Sequence, residues 1–467
     1  MQEILKTDVT VVGWGITSWA LAFELSNVKG WIRSIIVEKQ TMVWQMNTGS
    51  KKNSQTPHEG DIESNYIVEE KIKQNKRAAW MLLSFFDRFP EETSGLRTKM
   101  GKMLFAAGES EVELVKKRYQ RLTVEKKIFP NNVLLNREQI KEIEPALVTG
   151  RDPNEPIAAY YSPDGYAVDF EATTKKMFEI AQRLRWDLTQ VLLGVGVKKI
   201  ECKSSEWDLF HTHLDDWRII ESKAVIVNAG SYTPVLMKQL WYWDDVGILS
   251  IGAIYYYIKS EAQERLRIRN KIYTVQEEGL PNAAIHLDPE VNNPDKIRFG
   301  PTAFGIPYLE NWKRNSILDY IGILKFKDDF KTFLNIMKNK RIRNYVMRNY
   351  LYLLPFIGKS LFAQDNTKII PLLKSSDLEA SPIRWWNRSQ STNRKSNTIN
   401  FGETRIVWND KNIILNTTAS PGATWALLNT TRDILTLLNM KGFEEFEFDS
   451  EAFYEQNWFY AEELIEE

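Results

Sequence analysis

The sequence predicts an α/β and α+β protein of two discontinuous domains. One is a Rossmann-like dinucleotide-binding domain, the other a domain with a mainly antiparallel sheet covered by helices. Two observations predict this. The stretch "VVGWGITSWALAFEL" (11–25) begins as a β-branched strand, turns at Gly13 and Gly15, and continues with helical spacing. Apolar, β-branched runs then recur far along the chain, at "AVIVNAG" (224–230), "VGILSIGAIYYYI" (246–258) and "IVWNDKNIILNT" (406–417), with helical stretches between them. Such interleaving means that the chain leaves its first sheet and returns to it.

In the opening unit Gly13 permits a tight turn, and Gly15 lets backbone approach a phosphate without an intervening Cβ. The helix N-terminus supplies N–H groups and a favourable dipole. Ser18 stands where a third glycine is expected and is small enough to keep helix and strand close. "SIIVEK" (34–39) reads as a second parallel strand ending at Glu38, whose carboxylate suits a ribose diol. It lies slightly further along than the roughly 20 residues of the usual fingerprint. Trp14, between the two glycines, must point its indole away from any ligand.

The remaining elements follow in order. A loop over 41–64 leads to a helix through "AAWMLLSFFDRF". "GKMLFAAG" is a strand, "ESEVELVKKRYQRL" an amphipathic helix, and "NREQIKEIEPAL" a short helix stopped near Pro145. Residues 150–170 carry turn signals and read as a loop between strands, followed by the helix "EATTKKMFEIAQRL". Residues 191–228 read as an antiparallel meander, and 246–306 as a second sheet, with 246–258 a buried strand. The segment 317–362 is helical and basic, 389–398 a polar loop, and "TWALLNTTRDILTLLN" the last helix. The expected partition assigns 1–95, 146–245 and 365–467 to cofactor binding, and 96–145 and 246–364 to the substrate domain.

Composition narrows the functional classes. The 467 residues carry 61 basic and 61 acidic side chains, so no global charge points to nucleic acid. The single cysteine, Cys202, excludes an intramolecular disulfide framework. "MQEILKTDVTVV" enters its first strand with no room for a signal peptide, and no uncharged apolar run reaches the ~18 residues of a spanning helix. These features predict a cytoplasmic protein, or one peripheral to the inner face of the membrane.

Several motifs occur in an order that resembles the FAD-dependent malate:quinone oxidoreductases and, more broadly, the D-amino-acid-oxidase-like flavoproteins. They are "GWGITS", "TPHEGDIESNY" (56–66), "EPALVTGRDPNEPIAAYYSPDGYAVDFEATTKKMF" (144–178), "IHLD", "RFGPTAFG", "RSQ" (388–390), "INFGE" and "ASPGAT" (419–424). The resemblance implies FAD as cofactor, hydride transfer from a small 2-hydroxy (di)carboxylate such as malate, and a quinone as electron acceptor. Two alternatives stay open. The same fold serves oxidation of an amino acid, an amine or another 2-hydroxy acid such as 2-hydroxyglutarate, with oxygen or another acceptor; or FAD is a structural ligand of a binding protein.

Alcohol oxidation beside a flavin needs a base, carboxylate-holding cations and donors for the negative charge on the flavin. Of four histidines, His58 and His286 fall in family-like segments and are the candidate bases. A loop histidine merely packed on the flavin is the bland alternative for His58. His211 and His213 lie in "LFHTHLDDW", an alternating strand, and are expected in an exposed hairpin rather than at a metal. Arg388 and Gln390 resemble the family's Arg-x-Gln, and a guanidinium grips a carboxylate bidentately; Arg151 is a further substrate candidate or a structural arginine. By the same resemblance the cofactor contacts are Gly13, Gly15, Ser18, Glu38, Lys39, Thr56, Val197, Ala229 and Gly230, with Ser420, Pro421, Gly422, Ala423 and Thr424 at the closing loop. No metal is expected. Pro289–Glu290 stands where the family usually has Thr-Arg, a departure that bears on the substrate if that arginine holds its second carboxylate. Finally, the basic, aromatic-rich stretch 324–356 suits an anionic membrane surface.

Overall fold

The computed structural model describes residues 3–41, 47–185, 187–206, 208–240, 245–276, 285–310, 313, 315–381, 386–400, 405–408, 411–417 and 422–464. Ile4–Val12 is the centre of the first sheet, flanked in parallel by Ser34–Glu38 and Ile219–Val227. Thr189–Leu193 and Ile413–Asn416 extend the parallel set outward on the two sides. Strands buried on both faces need continuous apolar runs, which "VTVV", "SIIV" and "AVIV" supply. The helices Ile16–Glu24, Glu69–Arg88, Phe170–Leu184 and Ala426–Leu438 bring Trp19, Phe23, Phe85, Met177 and Trp425 into the core on this sheet. Trp14 packs into that core as well, with its ring 4.5 Å from Trp19 and 5.6 Å from Phe178. The expected outward turn of its indole is what keeps the glycine turn clear.

The second sheet has eight strands in the order Leu378–Ala380, Tyr256–Ile258, Asn293–Gly300, His286–Glu290, Lys271–Thr274, Lys102–Ala107, Ile157–Ser162 and Val133–Leu135. All neighbours are antiparallel except Lys271–Thr274 on Lys102–Ala107. One face carries Met103, Phe105, Ile272, Leu287 and Phe299 beneath the helix Gly358–Asp365. The other carries Leu104, Ala106 and Tyr160 beneath the helix Glu109–Tyr119, and beside them a charged zone of Lys102, Lys271, Asp288 and Arg298. A third, four-stranded sheet joins Phe304–Gly305, Val246–Ala253, Trp386–Asn393 and Thr398–Ile399.

The expected fold class holds, with five local corrections. The expected loop 150–170 contains Ile157–Ser162, an interior strand hidden between Pro156 and Pro163. That strand and Leu378–Ala380 lie in the second sheet, not the cofactor-binding part to which they were assigned. The run 246–258 is two strands in two sheets, broken at Ile254–Tyr255. Most of the expected polar loop 389–398 is strand, because Asn387, Gln390, Ser391 and Thr392 are buried with hydrogen-bond partners: Asn387 Nδ2, for example, donates to Leu309 O at 2.6 Å. A further helix, Ser450–Asn457, follows the one expected to be last.

Candidate active site

The carboxyl ends of the parallel strands meet at one edge of the first sheet, where ligands bind in folds of this type. Gly13 has φ +105°, and a Cβ there would lie 2.5 Å from Asn228 O, so the turn requires glycine. A Cβ on Gly15 would meet nothing within 4 Å; this residue faces open space at the start of the helix Ile16–Glu24, which has no side-chain cap. Ser18 does more than fit: its Oγ accepts from Asn228 Nδ2 at 3.2 Å, and Asn228 Oδ1 accepts from Asn416 Nδ2 at 2.8 Å. One hydrogen-bond chain thus joins the first helix to the ends of two strands. Glu38 accepts from Trp14 N at 2.9 Å and Gln40 N at 2.8 Å, and burial raises its pKa.

A cleft with about 1450 Å³ of empty space, mouth included, runs from this edge to the charged face of the second sheet. Gly15, Thr17, Asn228 and Gly230 line one end; Thr56, His58, Tyr273 and His286 line the other, with Gly422, Ala423 and Thr424 between loops. Uncapped helical N–H groups, open space at Gly15 and a carboxylate at the end of the adjacent strand fit a phosphate-linked nucleotide.

His286 and Asp288 are two residues apart on one strand and therefore share a face. His286 Nδ1 lies against Asp288 Oδ2, and the imidazole stacks on Tyr273 with ring centroids 4.6 Å apart and planes 12° apart. Asp288 Oδ1 accepts from Lys271 Nζ at 3.2 Å and faces Thr56 Oγ1 at 3.5 Å. Burial works against the charge of Asp288, but His286 and Lys271 outweigh it and hold its carboxyl well below the ordinary range. Burial lowers the pKa of His286 against the pull of Asp288, and lowers Lys271 to about 8. His58 stands across Tyr273, with ring centroids 6.1 Å apart. Its Nδ1 is 2.6 Å from Glu63 Oε1, and its N–H donates to Thr424 Oγ1 at 3.1 Å.

The other candidates divide. Arg151 is spent elsewhere: Nε donates to Leu147 O at 2.8 Å, Nη1 meets Glu155 at 2.8 Å, and Nη2 donates to Lys368 O and Ile369 O. It ties a turn to the second sheet's cover. Gln390 is buried and donates to Asn400 O, so its amide is also committed. Arg388 pairs through its backbone with Ile251; its side chain, and Ser420 and Pro421, lie outside the described residues. Val197 is in the outer antiparallel pair opposite Leu214, and Lys39 meets Glu310 at 2.7 Å. Ala229 adjoins the cleft-lining Gly230. His211 and His213 meet Glu221 and Glu201 in the hairpin, and the described residues contain no metal-ligand cluster.

Sequence reasoning missed Asp288, Lys271, Tyr273 and Ser389. Alternation from His286 points to Asp288, whereas nothing in "NKIYT" marks Lys271 as buried. Ser389 lines the cleft, and its Oγ is buried with no hydrogen-bond partner. Glu290 accepts from Tyr257 OH at 3.0 Å beyond a register shift at Pro289–Glu290. Position 290 thus turns toward Tyr257 and is not part of the cleft lining.

The family model for malate:quinone oxidoreductase (Mqo) matches residues 5–446. The malate:quinone oxidoreductase of Helicobacter pylori is 34% identical over 456 residues, 95% of this chain and 97% of the relative. The probable malate:quinone oxidoreductase of Campylobacter jejuni is 33% identical over 455 residues, 95% of this chain and 98% of that one. Among solved structures, L-α-glycerophosphate oxidase from Mycoplasma pneumoniae with FAD bound superposes with a TM-score of 0.64 at 18% identity, covering 92% of this chain and 94% of that one. L-Proline dehydrogenase from P. horikoshii gives 0.61 at 17% identity, with 95% of each chain covered. The latter two establish the fold; the family match and the relatives establish membership. The chain belongs to the malate:quinone oxidoreductase family.

Proposed function

We propose that this protein binds FAD along the cleft and oxidises malate to the 2-oxo acid, passing the electrons to a quinone. The observation that carries this is the His286–Asp288 pair on a sheet wall that faces the dinucleotide turn across one cleft. Bound there, the flavin supplies the two-electron acceptor for the hydride leaving C2. His286 Nδ1 lies against Asp288 Oδ2, which leaves Nε2 to take the hydroxyl proton, and burial lowers the imidazole pKa in the direction that suits a base. Tyr273 fixes the ring from its face. The Ser389 hydroxyl is assigned to a substrate carboxylate, and the N–H groups of 422–424 to the flavin. Because position 290 turns away from the cleft, the Pro289–Glu290 departure does not weigh against malate.

A quinone acceptor calls for a lipid surface. Helices Phe326–Lys338 and Lys340–Leu351 present Phe326, Phe330 and Met347 to solvent, and Phe356 is 98% exposed. Lys338, Lys340, Arg341 and Arg343 are exposed on the same two helices, while Arg348 is held by Asp365 at 2.5 Å. Among the described residues no helix is long and apolar enough to cross a membrane. We assign these helices to reversible docking on the anionic inner face of the membrane. Anaerobic mixing of the FAD-loaded protein with malate should bleach the flavin, and a quinone should restore its colour faster than oxygen does. Bleaching by 2-hydroxyglutarate or an amino acid in place of malate overturns the substrate; faster recovery with oxygen overturns the acceptor.

A further inference from the structure

Glu310 lies between the strand Phe304–Gly305 and the helix Asn315–Ile323, yet its side chain reaches the cofactor-binding edge of the first sheet. Lys39 Nζ donates to Oε2 at 2.7 Å, and Gln40 Nε2 to Oε1 at 2.6 Å. Lys313 Nζ is also 2.7 Å from Oε1, and the Glu310 side chain is only 5% exposed. Ser316 Oγ holds the glutamate's backbone from both sides, accepting from Glu310 N at 3.3 Å and facing Glu310 O at 3.0 Å. Lys39 and Gln40 directly follow Glu38, whose Oε1 accepts from Gln40 N. The Lys39 ammonium also sits 3.3 Å over the ring of Tyr232, on the turn that carries the cleft-lining Gly230 and Ser231, and Tyr232 OH donates to Asp319 at 3.2 Å. The segment around Glu310 therefore bridges the loops that follow two strands on either side of the glycine turn.

We propose that Glu310 is a latch for the adenosine half of the cofactor, an inference that rests on the FAD reading above. By fixing Lys39 and Gln40 it fixes the turn that presents Glu38 to the ribose, and it clamps that turn to the Gly230–Tyr232 loop through the shared lysine. It is a positioning residue and touches no reacting atom. The chemistry is electrostatic: a nearly buried carboxylate gathers two ammonium groups and an amide, and each partner loses a charge-assisted hydrogen bond when the charge is removed.

Because the latch acts on one end of the ligand, its signature is selective. In Glu310→Gln, FAD should bind on the order of tenfold more weakly, while FMN, which lacks the adenosine, should bind as it does to the wild type. Equilibrium fluorescence titration of apoprotein with each flavin reads this directly. Lys39→Ala removes the same bond from the other side and serves if Glu310→Gln does not fold. The Lys39→Ala/Glu310→Gln double variant should be no weaker for FAD than the weaker single variant. Unchanged FAD affinity in the single variants, or equal loss of FAD and FMN, overturns the latch. A wild-type protein that binds no FAD overturns the cofactor reading, and the latch with it.

Discussion

The two histidines of the cleft are each paired with a carboxylate but are held in opposite ways. His286 sits on a strand, so backbone pairing fixes its place and alternation brings Asp288 beside it. His58 sits on a segment with no regular secondary structure, and buried cations do the work of a ladder. Arg298 donates to Ser50 O, Asn53 O and Gln55 Oε1, and Lys271 to Ser54 O. Lys102 meets Glu59 at 2.7 Å and Asp61 at 3.1 Å, while Arg118 donates to the carbonyls of Gly60, Asp61 and Tyr66. A loop whose carbonyls and carboxylates are taken up by four buried cations need not be the mobile side of a site. What separates the histidines is the charge behind them. The carboxylate behind His286 is shared with a buried lysine, whereas Glu63 otherwise accepts Gly60 N.

That contrast predicts unequal consequences. The largest should come from His286→Gln, which removes the base and should slow anaerobic flavin reduction by malate ~10²–10⁴-fold in stopped flow. His58→Gln should slow it less; equal losses would erase the distinction. Next in size, Asp288→Asn leaves the Lys271 ammonium buried with its ion pair gone and should cost ~3–5 kcal/mol of stability, read by denaturant unfolding. A third test is pH. Burial depresses the pKa of His286 from 6.5, so the acid limb of kcat/KM should fall below that value, and in any folded Asp288→Asn protein it should move lower still. The stability linked to this histidine has the same sign: it is present above the unfolded value and is lost as the pH falls through it towards the folded pKa. The smallest effect should be Ser389→Ala, which removes a single hydroxyl and should raise the KM for malate several-fold, in line with a hydrogen bond of ~0.5–1.5 kcal/mol.

Much of the fold was legible because parallel strands buried on both faces write themselves as β-branched runs, and Gly13 and Gly15 mark the turn between the first strand and helix. Ile157–Ser162 was not, since six residues between prolines carry too short a pattern to outweigh the turn signals around them. In the site, His58, His286, Thr56 and 422–424 were found through motifs and do line the cleft. Arg151 and Gln390 donate to partners outside the cleft lining, which a motif could not foretell, since it records which residue stands at a position and not which partner takes its donors. Lys102, Lys271 and Arg298 were invisible for a physical reason: a buried cation is defined by carbonyls and carboxylates distant in sequence, and its own neighbours say nothing of them.

The strand order has a consequence for synthesis. The glycine turn leaves the ribosome before the strands Ile219–Val227 and Ile413–Asn416 that complete its sheet. The loop that carries His58 must likewise wait for the strands bearing Lys271 and Arg298 before its carbonyls find partners. Such long-range closure folds slowly and leaves strand edges uncovered in the interval. Cofactor capture should therefore be among the last events in the life of the nascent chain. A chain cut off before Ile413 would contain the whole glycine motif and still have no complete site to offer.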